Sequence, residues 1–205
     1  MGKVKIKKAD IWIDMTPMSD VMVLLLTFFM LTSTFVKNEA VRVDTPSSVS
    51  EIKVPENNVL TILVDNEGRA FLGMDTPAKM EALFMNMSSK YGVTLTGKQL
   101  EVGRGAANVG VPMQNLSEFL TQDAEKLNDY QKTLGIPTDS VNGGQSEFQD
   151  WVNAAFEENG EDMKLAIKAD KKTPYKVIKK MLSELQDMNR NRYYLITALK
   201  NVSEE

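Results

Sequence analysis

Residues 15–36 read MTPMSDVMVLLLTFFMLTSTFV, and Asp20 is the only charged residue among them. The rest of the stretch is rich in Leu, Met, Val and Phe. At about 1.5 Å of rise per residue, an α-helix of this length extends roughly 33 Å, which is close to the thickness of the hydrocarbon core of a bilayer. A helix this long inside a globular protein would need polar positions along one face. The stretch therefore predicts a single transmembrane helix.

The charges on either side of residues 15–36 predict the orientation of that helix. Four lysines precede it: Lys3, Lys5, Lys7 and Lys8. Basic and acidic residues are mixed after it: Lys37, Glu39, Arg42 and Asp44. The positive-inside rule then places the N-terminus in the cytoplasm and everything after residue 36 outside. A cleaved signal peptide is the competing hypothesis, but the apolar region is long, a carboxylate interrupts it, and no small-x-small cleavage site follows closely.

The composition of the chain excludes several classes of function. The 205 residues suffice for one ordinary domain with accessory segments. There is no Cys and no His, so thiolate chemistry, disulfides, imidazole catalysis and the common zinc sites are excluded, and we expect no metal and no cofactor. The net charge is −4, and Lys and Arg form no basic patch of the size that nucleic-acid binding needs. Carboxylates remain as the plausible ionisable groups.

Asp20 is the candidate functional residue, because an ionised carboxylate inside a bilayer helix costs about 2.5–3.5 kcal/mol on insertion scales. The alternative is that Asp20 lies near the cytoplasmic edge of the bilayer and reaches water there. Thr27 and Thr34 follow it at spacings of seven residues, which keeps all three within about 40° around the helix. A lone helix cannot shelter such a polar face, so we expect partner helices or a second copy of the chain to cover it.

The sequence IDMTPMSDVM at residues 13–22, followed by a Leu-rich helix, resembles the start of the ExbD/TolR biopolymer transport family. That family has a Thr-Pro and then an Asp-Val at the beginning of its only membrane helix, which correspond to Thr16-Pro17 and Asp20-Val21. The resemblance implies that Asp20 carries the proton. It also implies that Thr16, with the two threonines on the same face, gives polar support towards the pore. Asp14 stands where the family usually has Asn, and we assign it no function.

The resemblance continues past the membrane helix. The residues Val41, Arg42, Val43, Asp44, Thr45 and Pro46 resemble a short extended motif of the family that ends in Leu-Pro, with Thr45 in place of the Leu. This motif predicts a partner-docking segment. Residues 37–58 are otherwise a polar linker with several Ser and Pro, for which a flexible spacer is an equally good interpretation.

Residues 59–205 predict an α/β domain. Strand patterns occur at 59–64, 69–73, 163–168 and 193–198, and helical patterns at 77–91 and within 170–187, where Asp75 or Thr76 caps the first helix. The order is ββα, an insertion of about 92–160, and βαβ. The periplasmic domain of the family has this order, and Lys168-Ala169-Asp170 with Tyr175 resembles its landmarks. The predicted fold class is therefore α/β, with a single N-terminal transmembrane helix followed by a small periplasmic domain.

The insertion at about 92–160 has no counterpart in the shorter members of the family. Gly103, Gly105 and Gly110 lack the spacing and the following Lys of a phosphate loop and indicate a mobile loop. Residues 116–134 and 148–156 have helical periodicity, and their apolar positions are expected to pack in the core rather than to form a partner surface.

These observations give a predicted organisation of a cytoplasmic segment (1–14), a transmembrane helix (15–36), a periplasmic linker (37–58) and a periplasmic domain (59–205) in the bacterial inner membrane. The resemblance implies a motor subunit, not an enzyme, that couples proton translocation through Asp20 to outer-membrane transport or envelope processes. Its implied partners are an ExbB/TolQ-like ring protein, a second copy of the chain, and a TonB- or TolA-like periplasmic protein. A passive membrane-anchored scaffold is the main alternative, and an extracytoplasmic enzyme on a stalk is a third hypothesis that no catalytic constellation supports.

Overall fold

The structure is a computed structural model. It describes residues 16–32, 43–48, 54–55, 57–139, 144–160 and 162–199. The chain divides into two compact units, Met1–Val36 and Lys37–Glu205.

The described residues of the first unit form a helix, α1, which runs from Thr16 to Thr32. The predicted helix at 15–36 is wider, and residues 15 and 33–36 lie outside the described residues. Within the described parts of the chain, we find no helix that combines the length and the apolar character needed to cross a membrane.

The second unit is built on a four-stranded sheet with the order β3-β2-β4-β5. Its strands are β2 (Val59–Val64), β3 (Ala70–Met74), β4 (Lys164–Ala169) and β5 (Tyr193–Leu195). Strands β2 and β3 form an antiparallel hairpin, whereas β4 is parallel to both β2 and β5. Gly68 in the hairpin turn has φ +84°, a conformation that glycine adopts without strain. The predicted strands at 59–64, 69–73 and 163–168 are confirmed within one residue.

The strand predicted at 193–198 divides into two. Strand β5 ends at Leu195, and β6 (Ala198–Leu199) pairs in parallel with β1 (Ser47–Ser48) as a separate two-stranded sheet. The Ile196 N–H still bonds the Ile167 carbonyl at 2.8 Å. The chain leaves the main sheet after this bond. The apolar pattern that predicted one strand is therefore divided between two sheets.

Helices α2 (Pro77–Tyr91) and α7 (Tyr175–Asp187) are the two predicted helices of the domain. Thr76 is the N-cap of α2, since its hydroxyl accepts the Lys79 N–H at 3.4 Å, and Pro77 occupies the first turn. Gly92 ends the helix in the left-handed conformation. The apolar faces of both helices pack in one core with the sheet.

The insertion forms five short elements, which are α3 (Gly97–Gly105), a 3₁₀ turn (Met113–Asn115), α4 (Leu116–Phe119), α5 (Ala124–Gln131) and α6 (Glu147–Asn159). The predicted core packing is confirmed, because the apolar residues of these helices join the main core. The helix predicted from the periodicity of 116–134 is wrong in one respect, since the chain forms two helices there, α4 and α5, with a break between them.

The glycines of the insertion do not form the expected loop. Gly103 and Gly105 belong to α3, and a Cβ at Gly103 would lie 2.7 Å from the Phe84 ring. A Cβ at Gly110 would lie 1.8 Å from a ring atom of Phe71. Close packing explains these two residues better than mobility, because only a glycine lets the backbone approach so near.

The insertion also covers the outer edge of β3. The Leu72 N–H bonds the Val109 carbonyl at 2.8 Å and the Val109 N–H bonds the Leu72 carbonyl at 2.7 Å. The Ile136 N–H bonds the Ala70 carbonyl at 2.9 Å. An uncovered strand edge invites pairing with other chains, so these bonds make the insertion part of the sheet.

A buried carboxylate fastens the insertion to helix α2. Asp150 on α6 accepts the Lys90 ammonium at 2.7 Å and the Tyr91 hydroxyl at 2.5 Å. Burial and the hydrogen bond to Asp150 raise the pKa of the Tyr91 phenol above its usual range.

Candidate functional site

Asp20 lies on the first turns of α1, and its side chain is exposed within the single chain. No residue that the structure describes donates a hydrogen bond to it. Most of the apolar side chains around it on α1, from Met18 to Leu31, are more than half exposed. Among the described residues, the helix therefore presents an apolar surface on all sides, with one carboxylate set into it.

Thr27 shares the face of Asp20 but does not touch it. Seven residues separate the two along α1, which corresponds to about 10 Å of helix rise. The Thr27 hydroxyl donates to the Leu24 carbonyl at 2.9 Å, so its proton is engaged while its oxygen can still accept. The side chain of Thr16 and the whole of Thr34 lie outside the described residues, and the polar support predicted for them stays a prediction.

A second candidate site is formed by the linker, because residues 43–48 lie against their own domain. Val43 is 9% exposed and packs with Leu63 and Phe71 in a small apolar cluster separate from the main core. Further along, the Ala198 N–H bonds the Pro46 carbonyl at 3.0 Å, next to the β1–β6 pairing. We call residues 43–48 in this position the docked linker.

Asp170 fixes the entry of the docked linker. Its carboxylate accepts the backbone N–H of Asp44 at 3.0 Å and that of Lys172 at 2.9 Å. The Lys171 N–H returns a bond to the Asp44 carbonyl at 2.9 Å. The backbone hydrogen bond from Lys172, followed by that from Asp44 and the charges of Lys172 and Lys171, holds the pKa of Asp170 below its usual range. The ionised form of Asp170 is therefore the form that holds the linker.

The loop that carries Asp170 is tied to the sheet on its other side. The Asp170 N–H bonds the Val64 carbonyl at 3.0 Å, and the Thr173 hydroxyl donates to the Asp65 carbonyl at 2.7 Å. These bonds run from the end of β4 to the end of the neighbouring β2. The neighbouring ends of β2 and β4 therefore position the carboxylate that accepts the linker N–H.

The outcome for the predicted docking segment is divided. Val41 and Arg42 lie outside the described residues, whereas Val43, Asp44 and Pro46 all contact the domain. A free spacer is therefore wrong for residues 43–48, and docking on a partner stays a prediction. Sequence reasoning identified Asp170 only as a landmark of the resemblance. An Asp side chain often accepts the backbone N–H of the second residue after it in a turn, so the bond from Lys172 is a local feature. Nothing in the sequence indicated that Asp170 also accepts the backbone N–H of Asp44, which lies 126 positions earlier.

Among the described residues, no three or more Asp or Glu side chains lie close enough together to hold a metal ion.

Comparison with known proteins identifies the chain by family. The model of the family described as Biopolymer transport protein ExbD/TolR matches residues 7–200, which is nearly the whole chain. Neither the curated proteins nor the solved structures include a match. Members of this family are inner-membrane-associated, non-enzymatic proteins that help to energise biopolymer transport, together with ExbB/TolQ-type and TonB/TolA-type partners. The resemblance in the sequence is thereby confirmed, and the chain belongs to the ExbD/TolR family.

Proposed function

We propose that this chain is a proton-driven motor subunit of the bacterial inner membrane, anchored by residues 15–36 and carrying a proton on Asp20. The observation that carries the proposal is that the one charged residue of α1 lies in a helix whose apolar side chains are exposed. Lipid and the helices of an ExbB/TolQ-like ring would cover that surface. In this arrangement the N-terminus is cytoplasmic and the domain after the linker is periplasmic.

Protonation of Asp20 then changes which helix arrangement is stable. A neutral carboxylic acid is accommodated in an apolar seam, whereas the ionised form needs water or a hydrogen-bond donor. The insertion cost of about 2.5–3.5 kcal/mol for the charge corresponds to a preference of roughly 100-fold between two environments. Reversing a two-state population from 1:99 to 99:1 takes about 5.5 kcal/mol. Two copies of the chain in one ring carry two such carboxylates, whose combined preference reaches that energy.

The docked linker is the segment through which such motion reaches the domain. Residues 41–46 are the proposed docking segment for a partner, and in the single chain part of this segment is held by Asp170 and β6 instead. A TonB- or TolA-like protein, or the second copy, would compete for the same positions. The output is transport across the outer membrane or another envelope process.

The test is Asp20→Asn, which removes the titratable proton and nearly preserves the size and polarity of the side chain. We expect normal expression, insertion and assembly with the ring protein but loss of work driven by the proton gradient, measured in cells lacking the native gene. Ser19→Ala, one residue earlier on α1, is the matched control and should retain that work.

A passive anchor predicts the opposite outcome. Asp20→Leu would then insert more readily and retain full function. Wild-type output from an assembled Asp20→Asn complex would likewise sink the proton-carrier proposal.

A further inference from the structure

A lysine-rich face on α7 and the loop before it is not used by the proposed proton cycle. Residues 168–180 contain six lysines and one acidic residue, although the whole chain has a net charge of −4. Met181 and Leu185 turn the apolar side of α7 into the core. Five lysines in the preceding loop and on the outer side of α7 are exposed: Lys171, Lys172, Lys176, Lys179 and Lys180. We call these five residues, with Tyr175, the lysine face.

Acidic groups neutralise only part of the lysine face. Lys180 contacts Asp139, and the Lys171 ammonium lies 3.8 Å from the Asp44 carboxylate of the docked linker. The Asp170 carboxylate interacts with the charges of Lys171 and Lys172, and Asp187 is exposed at the far end of α7. The other three lysines, Lys172, Lys176 and Lys179, form no ion pair with a residue that the structure describes. Ion pairs as exposed as these are weak, so the face is available to a stronger anionic surface.

Tyr175 gives this face an amphipathic character. Its side chain is 75% exposed at the first position of α7, although most large aromatic rings of the domain are buried. Tyrosine is enriched at membrane–water interfaces, where the ring meets the headgroups and the hydroxyl stays hydrated. Each lysine near an anionic bilayer strengthens binding about fivefold. The lysine ammonium groups are charges on flexible side chains, and beside an exposed Tyr they can adapt to the headgroups of a fluid lipid surface.

The length of the chain argues for lipid over a dissolved acidic partner. Only residues 37–42 separate the proposed membrane anchor from Val43 of the docked linker, and six extended residues reach about 20 Å. A short tether gives the bilayer surface a high effective concentration at the domain, which no free partner shares. The main competitor is the insertion of a second copy, since residues 92–160 carry four basic and ten acidic residues.

We propose that the lysine face binds the anionic surface of the bilayer to which the chain is anchored. The inference rests on the proposed anchor and goes beyond it, because it concerns the periplasmic domain and does not involve Asp20. Binding of this face would hold the domain at the membrane, and it would weaken with rising salt concentration because the attraction is electrostatic.

The test uses the full chain in vesicles of phosphatidylcholine, with or without phosphatidylglycerol. The chain has no Cys, so Ser183→Cys places one environment-sensitive fluorophore among the exposed residues of α7. Ser89→Cys on the exposed side of α2 is the matched control. We expect a blue shift at position 183 in anionic vesicles only, reversed by salt, and no shift at position 89.

Charge reversal adds a second comparison. Lys176→Glu with Lys179→Glu should abolish the shift, because the loss of two lysines alone reduces partitioning about 30-fold. Lys98→Glu with Lys126→Glu is the control, because it changes the net charge by the same amount as the first pair but at exposed residues of the insertion. This control should leave the shift unchanged.

Three results would overturn the inference. A chain that floats with both kinds of vesicle but shows no shift at position 183 refutes lipid binding and leaves the anchor intact. A shift of equal size in neutral and anionic vesicles means that position 183 is covered without anionic lipid, by a second copy or by uncharged lipid, and refutes binding to an anionic surface. A chain that floats with neither kind of vesicle overturns the proposed anchor and the inference with it.

Discussion

Val43→Ala should release the docked linker while leaving the rest of the domain folded. The substitution removes two methyl groups from a side chain that is 9% exposed and packs on Leu63 and Phe71. At about 0.8 kcal/mol per buried carbon group, with a small cavity term added, the loss is about 2 kcal/mol. That energy corresponds to a shift of about 30-fold in the equilibrium between docked and released linker.

Hydrogen exchange measures this shift at two amides outside the linker. The Lys171 N–H bonds the Asp44 carbonyl at 2.9 Å, and the Ala198 N–H bonds the Pro46 carbonyl at 3.0 Å. Both bonds break when the linker leaves, so exchange of these amides through local opening should accelerate by up to about 30-fold in the variant. The measurement is made on the full chain in nanodiscs.

Two controls separate release of the linker from general loosening. The Ile196 N–H, bonded to the Ile167 carbonyl at 2.8 Å in the main sheet, should keep its exchange rate. Val93→Ala removes the same atoms from a half-buried valine after α2 and should change none of these amides. Unchanged exchange at the two reporter amides of the Val43 variant would refute the argument that burial of this side chain holds the linker.

Three further predictions concern charge and packing in the domain. Because the pKa of Asp170 lies below its usual range, docking should be complete above about pH 4, weaken as the pH falls through the lowered pKa, and lose this pH dependence in Asp170→Asn, as read from amide exchange. Gly110→Ala forces a Cβ to 1.8 Å from Phe71 and should lower the melting temperature by about 3–10 °C, whereas Gly105→Ala, with nothing within 4 Å, should not. Asp150→Ala removes the shared acceptor of the Lys90 ammonium and the Tyr91 hydroxyl, which are both partly exposed and can bond water instead, so it should destabilise the domain by only about 1 kcal/mol in denaturant titration.

Local patterns predicted the elements of the ββα and βαβ halves. Helix α2 is the clearest case, since its apolar spacing, the cap at Thr76 and the proline at position 77 all indicate the same boundaries. Strand β2 followed from alternation together with the turn at Gly68. In both, residues within one or two turns determine the local structure, and such short-range signals can be read from a sequence.

Contacts between distant residues were beyond the same reasoning. The pairing of Val109 with Leu72 joins the insertion to the β3 edge, and the burial of Val43 joins the linker to the hairpin. Each depends on a partner far away in the chain, which a local pattern cannot identify even where it indicates an extended segment. The break between α4 and α5 follows similarly, because packing against the core overrides a continuous helical pattern.

Docking of residues 43–48 sets the length of chain between the proposed anchor and the domain, and this length limits the proposed motor. With residues 43–48 docked, six residues remain as a tether and reach about 20 Å. Release of the whole linker, 37–58, lengthens the tether to about 75 Å at full extension. The bonds of Asp170 and the burial of Val43 therefore separate a short-reach from a long-reach state. A charge change at Asp20 that is worth about 2.5–3.5 kcal/mol is of the same size as the about 2 kcal/mol that Val43 contributes to docking. In the proposed cycle one proton per chain therefore matches the contribution of Val43, and the hydrogen bonds that Asp170 and Ala198 make to the linker add to the free energy that its release requires.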